Sequence, residues 1–316
     1  MFGLPAGKSK MSNKSAKNAE ILQKVKECQF QEVVSRYDEK DAILYALSVG
    51  EGEFGGTTIL GDVRKELKVL LSELFNSRVL FPFSVLDQMI GSMGDYNPMM
   101  ILHGEQYLEL NGPLPLSATV KTSAEISAIQ DKGKGALIVV KATTRDASNN
   151  KILEETHSTC RTWWSRQCES RHQVNSAVSY SMINPFQWGS KGKCEYPREK
   201  TSPGAAIFYR MMGDRNPLHC DPNLAAVAGF DQPILHGLCT FGHAGRAVLH
   251  HFCDNDVSRF RSIQGRFLKV VYPGETIITQ MWREGNKILF QSKVEERPDG
   301  NVLVGAVEIV PRESKL

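Results

Sequence analysis

Apolar and polar positions alternate along two parts of the chain, and two other parts carry apolar residues at helical spacing. From about residue 105 to 165 the character is that of strands. The segment 117–130 (SATVKTSAEISAIQ) is β-branched and alternating, and Asp131-Lys132-Gly133-Lys134-Gly135 reads as a turn. ALIVVKATTRD (136–146) and ILEETHSTCRTWW (152–164) are two further strands, parted by a turn at Ala147-Ser148-Asn149-Asn150. The pattern returns in RSIQGRFLKVVY (261–272), ETIITQMWRE (275–284), KILFQSKVEE (287–296) and NVLVGAVEIV (301–310), with Gly, Pro, Asn and Asp between them.

A first helix is expected where Asp38-Glu39-Lys40-Asp41 precede the apolar run from Ala42 to Leu47, closing at Gly50 and Gly52. A second spans Leu235 to Phe252, with Leu238, Phe241, Gly245, Val248 or Leu249, and Phe252 on one stripe. Gly242 and Gly245 let its backbone approach whatever it packs on. Two meanders of similar length, each after a helical stretch, point to an internal duplication. A helix held against a strongly curved antiparallel sheet accounts for both features, an α+β pattern. The polar stretch 166–200, broken by Pro185, Gly189, Gly192 and Pro197, reads as a linker. The expected division is a basic tail (1–30), an N-terminal half (31–170), a linker (171–200), a C-terminal half (201–311) and a short tail (312–316).

Composition narrows the function classes. Of 316 residues, 41% are apolar and 23% charged, which argues against wholesale disorder. A formal net charge of +3 is too small to imply nucleic acid, though it leaves room for a local patch facing an anionic ligand. No run of about 18 uncharged apolar residues occurs, so no membrane span is expected. Seven widely spaced cysteines without a CxxC read as reduced intracellular thiols. Lys8, Lys10, Lys14 and Lys17, with no Arg before Arg36, read as a solvated tail rather than a transit peptide. Ser314-Lys315-Leu316 matches a receptor-read peroxisomal address, a tripeptide that chance puts at a chain end roughly once in 8000 times. A peroxisomal import receptor is the partner this implies.

The densest chemistry lies in Gly213-Asp214-Arg215-Asn216-Pro217-Leu218-His219. Pro217 pushes Asn216 out of helical geometry, so the chain turns and Asp214 and His219 can converge. A carboxylate and an imidazole aimed at one water make a general acid–base pair. The plainer alternative is an Asp214 that caps a turn and a His219 satisfied in the core. Asp221-Pro222 looks like the cap and first turn of a short helix closing near Gly229. In Pro233-Ile234-Leu235-His236-Gly237-Leu238, the Gly237 amide would sit in the first turn of the long helix, where backbone N–H groups are unpaired. It could serve as an oxyanion donor.

These two motifs resemble the MaoC-like (R)-specific enoyl-CoA hydratases, including the hydratase 2 unit of peroxisomal multifunctional enzyme type 2. Similarity covers roughly residues 35–310, with Leu102 to Leu110, Asp254 to Phe260 and Arg266 to Gly274 among the matching stretches. The resemblance implies a double hot dog, two curved antiparallel sheets each wrapping a helix, and a homodimer. It implies a (3R)-hydroxyacyl-CoA hydro-lyase acting on trans-2-enoyl-CoA, with no redox cofactor and no metal. Asp214 and His219 would be the catalytic dyad, Gly237 the oxyanion donor, and Asn216 an orienting group for the dyad or the thioester. His103, Gly104, Lys132 and Phe267 would line the acyl-CoA groove, with Arg215 and Leu218 as further substrate contacts. Glu73, Tyr45, Tyr209 and Arg210 align with positions the family needs, as structural support as readily as chemistry. Met212 and Arg215 depart from the family, which is usually small at the first position and often aromatic at the second. Which of Asp214 and His219 is base and which acid stays open, as do chain-length preference and the pathway served.

Other features are read as bland. Gly50-Glu51-Gly52-Glu53-Phe54-Gly55 fits a dinucleotide fingerprint, but its two glutamates would repel a pyrophosphate. His236, Cys239 and His243 fall on one helix face, a spacing that metal ligands can use, and are read as buried or groove-lining groups. Trp163-Trp164 reads as sheet packing. Lys132, Arg266 and Lys269 are candidates for the CoA phosphates. The rival functions are a hot-dog acyl-CoA thioesterase and a catalytically silent acyl-CoA-binding protein.

Overall fold

A computed structural model describes residues 23, 27, 29–50, 101–112, 114–115, 117–131, 135–162 and 197–311. Most of the basic tail, Glu73, Lys132, Trp163-Trp164, the glycine fingerprint past Gly50, most of the linker and Ser314-Lys315-Leu316 lie outside the described residues.

The first helix, α1 (Glu39–Ser48), begins where the acids predicted it. The Asp38 side chain accepts from the amides of Lys40 and Asp41, and the Asp41 carboxylate accepts from the Asp38 amide. Before it runs β1 (Val33–Tyr37), too short and mixed to stand out in the sequence. Four longer strands follow: β2 (Ile101–Leu110), β3 (Ala118–Asp131), β4 (Gly135–Arg145) and β5 (Lys151–Thr162). The C-terminal half contributes β6 (Arg198–Lys200), α2 (Ala205–Arg210), α3 (Pro222–Val227) and α4 (Gly237–Phe252). It ends in β7 (Phe260–Phe267), β8 (Thr276–Glu284), β9 (Lys287–Val294) and β10 (Asn301–Ile309). Among the described residues, no helix is long and apolar enough to cross a membrane.

All ten strands form one sheet in the order β1-β3-β4-β5-β2-β7-β10-β9-β8-β6. Each half repeats the same order, its second strand lying innermost and its first strand outermost. The duplication expected from the meanders is therefore visible in the topology. The halves join where β2 pairs antiparallel with β7, with Gln106 opposite Gly265 and Leu108 opposite Ile263. Two readings are corrected here. The segment read as 261–272 ends as a strand at Phe267, and it lies beyond β10 rather than beside β8. Residues 198–200, read as linker, pair with β8 as an edge strand.

Helix α4 also departs from the expected stripe. Every residue from Cys239 to Leu249 is buried, polar ones included. The sheet covers one side, where Phe241 packs so tightly on β7 that a Cβ at Gly265 would come within 2.8 Å of its ring. Other contacts cover the rest. Cys239 Sγ donates to Ser48 O at 3.3 Å and Arg246 Nη1 to Gly50 O at 2.9 Å, both at the end of α1. His243 Nδ1–H donates to Glu199 Oε2 of β6 at 2.6 Å, and the Arg246 guanidinium pairs with the same oxygen. A helix that carries His and Arg is buried all round because another element supplies a partner for each.

Candidate active site

The loop between α2 and α3 is shaped by short-range bonds. Gly213 adopts φ +123°, a region that L side chains rarely enter, and so turns the chain away from α2. Asp214 Oδ1 accepts from the Asn216 amide, and Asn216 Oδ1 from the Leu218 amide, each at 3.0 Å. Asn216 has φ −55° and ψ 120°, the extended geometry that Pro217 demands, and a single 3₁₀ turn spans Pro217–His219. Asp221 then caps α3 through the amides of Asn223 and Leu224, and Gly229 follows with φ +88°. Asn216 thus orients the carboxylate of Asp214 through its backbone, while its side chain caps the turn.

His219 is buried, and its Nδ1 lies 2.8 Å from Ile234 O. A carbonyl only accepts, so Nδ1 carries the proton and the neutral ring presents a lone pair at Nε2. That Nε2 is 3.9 Å from Asp214 Oδ2, too far for a direct hydrogen bond. A water about 2.8 Å from each atom would hold them at an angle of about 90°. Both plain roles considered for these residues are real, but each uses only one atom. Oδ1 and Nδ1 serve the fold, and Oδ2 and Nε2 face each other.

Burial shifts both groups. It raises the pKa of Asp214 above the ordinary carboxylate value, against the opposing pull of His219, the Asn216 amide and Arg210. It lowers that of His219, although Asp214 and Ile234 O pull it up. The two protonation equilibria are driven toward each other, which makes proton exchange between them less costly.

Gly237 is the first residue of α4, where helix geometry leaves the amide without an intrahelical acceptor. A Cβ there would lie 3.2 Å from Phe267 Cε1. The Phe267 ring also stands 5.0 Å from that of His103. His103 comes from β2 and Phe267 from β7, so the central strand pair brings the two halves together at the start of α4. Gly104 sits at a β-bulge, where the β2–β5 register shifts between His103 and Glu105. His103 Nε2 donates to Glu105 O at 3.1 Å, and burial pushes its pKa down to about 4.

The remaining predicted residues fall in three places. Tyr45 and Tyr209 are fully buried, with rings 6.2 Å apart, and Arg210 acts on Asp214 by charge. Leu218 is half-buried and Arg215 exposed; Met212 lies in the core. Arg266 Nε is 3.6 Å from Glu105 Oε1, and Lys269 Nζ donates to Asp299 O. Sequence reasoning gave His236 no role of its own: it stood within the Pro233 to Leu238 motif and among three helix-face residues read as buried or groove-lining. Cys239 and His243 are engaged elsewhere, so that set does not converge. His236 instead joins Asp214 and His219, the three offering ligand atoms within 4.8 Å of one another. That spacing could hold a metal ion, yet His236 Nε2 donates its proton to Asp214 O at 3.3 Å, a bond a metal would have to displace.

Comparison with known proteins places this geometry. The N-terminal domain of MFE-2 hydratase 2 matches residues 35–161, from β1 to β5, and a MaoC-like domain matches residues 187–303, from before β6 into β10. The peroxisomal enoyl-CoA hydratase 2 of Arabidopsis thaliana is 35% identical over 298 residues, covering 86% of this chain and 90% of that protein. The chain belongs to the MaoC-like enoyl-CoA hydratase 2 family. Mouse peroxisomal multifunctional enzyme type 2 is 39% identical over 306 residues, covering 88% of this chain; the chain spans only 37% of that enzyme's length. A MaoC-like dehydratase from Phytophthora capsici superposes with TM-score 0.69 at 31% identity, covering 92% of this chain and 99% of that one. The double hot dog implied by the resemblance is the fold observed, shared with a Mycobacterium tuberculosis protein of that fold at TM-score 0.55. Like its named relatives, this hydratase 2 family member is a peroxisomal lyase.

Proposed function

We propose that this hydratase 2 family member adds water to trans-2-enoyl-CoA, giving (3R)-3-hydroxyacyl-CoA in peroxisomal fatty-acid β-oxidation. The observation that carries the reading is the 3.9 Å gap between a proton-free imidazole nitrogen and a carboxylate oxygen, in the half whose long helix opens at the Gly237 amide. The thioester carbonyl makes C3 electrophilic by conjugation. A water held between Asp214 and His219 attacks C3 while His219 Nε2 takes its proton, since Nδ1 is already committed to Ile234 O. The protonated Asp214 carboxyl, favoured by burial, delivers its proton to C2 on the same face. The Gly237 N–H stabilises the enolate oxygen between these events, a contribution of about 3–4 kcal/mol for such donors. The proton on His219 then returns to Asp214 and the pair is reset. These steps require neither a redox cofactor nor a metal.

Arg266 and Lys269 are the cations we assign to the CoA phosphates, Lys132 being a further candidate. Ser314-Lys315-Leu316 would act as the import signal: deleting these residues from an N-terminally fluorescent fusion should leave it cytosolic. A homodimer, implied by the family, would sediment at twice the 35.2 kDa chain mass.

The test is to add the protein to a short and a long trans-2-enoyl-CoA and follow loss of the enoyl-thioester absorbance, with a thiol reagent present and chiral analysis of the product. Absorbance loss without free thiol, and the (3R) product, are expected. Thiol release would point to a thioesterase, and no change to a silent binder.

A further inference from the structure

We propose that His236 is a positioning residue for the dyad, holding the Asp214 backbone with its N–H and covering the face of His219 with its ring; the inference rests on the hydratase reading above.

His236 precedes Gly237 at the cap position of α4. That position favours a short side chain that hydrogen-bonds the first-turn amides, but His236 makes no cap bond. Its side chain is committed to the site instead. Nε2–H donates to Asp214 O at 3.3 Å and lies 3.7 Å from Asp214 Oδ2. The ring stacks on that of His219, with centroids 3.7 Å apart and planes inclined by 26°. One residue thus touches both members of the dyad and is bonded in sequence to the proposed oxyanion donor.

The ring must stay neutral to do this. It is 1% exposed, and Nδ1 is buried without a hydrogen-bond partner among the described residues. The charged and titratable groups facing it are His219, Asp214, Arg210 and Tyr209. Burial, His219 and Arg210 all oppose a second positive charge. Tyr209 backs the ring at 4.8 Å, and Tyr45 of α1 backs Tyr209, so a row of rings runs from the N-terminal half to the dyad.

The ring and the donor can be separated by mutation. His236→Phe keeps a flat ring and removes the donor; His236→Gln keeps a donor and removes the ring. Both should lower kcat by roughly 10–100-fold with KM changed less than about threefold, the pattern of lost alignment rather than lost binding. The pH profile should tell them apart. His236→Gln admits water to His219, so the acid limb of kcat/KM should move up by roughly half a unit or more, while His236→Phe should leave it in place. Retention of wild-type kcat by both variants would overturn the proposal. So would an equal loss in both, with the limb unmoved and the melting temperature lowered. If neither variant folds, nitrogen NMR of the wild-type protein decides: His236 should remain the Nε2–H tautomer from pH 5 to 9, and an ordinary histidine titration would overturn the proposal. Failure of the hydratase reading would show separately, as wild-type protein that does not hydrate the enoyl thioester.

Discussion

At the scale of single residues, the Asp214–His219 pair is costly to the fold. A carboxyl whose pKa is raised by burial is most favourable to stability below its unfolded value, and that advantage is lost as pH rises through the folded value. Asp214→Asn keeps an oxygen for the Asn216 amide and removes the group whose ionisation burial opposes. Its turnover should fall by roughly 10²–10⁴-fold, as should that of His219→Gln. As pH rises, the melting temperature of Asp214→Asn should fall less than that of the wild type by scanning calorimetry. His219, with its pKa lowered by burial, stays the proton-free base until pH falls below the ordinary histidine value of 6.5. The acid limb of kcat/KM should therefore lie below that pH. An acid limb above it, or an Asp214→Asn variant that is both active and as pH-sensitive in stability as the wild type, would contradict the assignment.

At the scale of elements, the start of α4 and the end of β7 share one space. A methyl at Gly237 would press on Phe267 at 3.2 Å, so the ring would have to yield by a few tenths of an ångström. Phe267 also faces His103, and it cannot shift without moving that contact. Gly237→Ala should lower kcat/KM for enoyl-CoA, and Gly237→Val should lower it much further. Circular dichroism should show the helix retained in both. Wild-type kinetics in the Val variant would remove this amide from the site. The motif around Gly237 was legible because a glycine opening a helix has few other physical reasons. The short α2 and β1 were not, since elements of six and five residues carry too few periods to stand above noise.

At the scale of the whole molecule, β6, α1 and α4 are tied by one buried charge cluster. Burial opposes the charged form of Glu199, but His243 and Arg246 outweigh it and hold its pKa below the usual carboxylate value. For a depressed carboxyl, the stabilisation is present above the unfolded pKa and lost as pH falls through the folded one. Wild-type stability should thus decline as pH drops below the ordinary carboxylate range. Glu199→Gln removes the negative charge that pairs with both His243 and the buried Arg246. Urea unfolding at neutral pH should show a loss of about 3–5 kcal/mol. A loss below about 1 kcal/mol would mean that the cluster is not what joins the strand to the helix.

Local chemistry determined much of this protein. Alternation and turn residues marked the long strands, the Asp38 and Asp221 caps marked two helix starts, and Pro217 dictated the bend between Asp214 and His219. Each depends on neighbours within a few positions, which is the range over which dihedral preference and capping act. Tertiary structure alone decided the rest. The pairing of β2 with β7, the burial of His243 and Arg246, and the stacking of His236 on His219 join groups between 17 and more than 150 positions apart. No periodicity records such meetings, because they are chosen by how the two halves close on each other and by which buried polar groups find partners there.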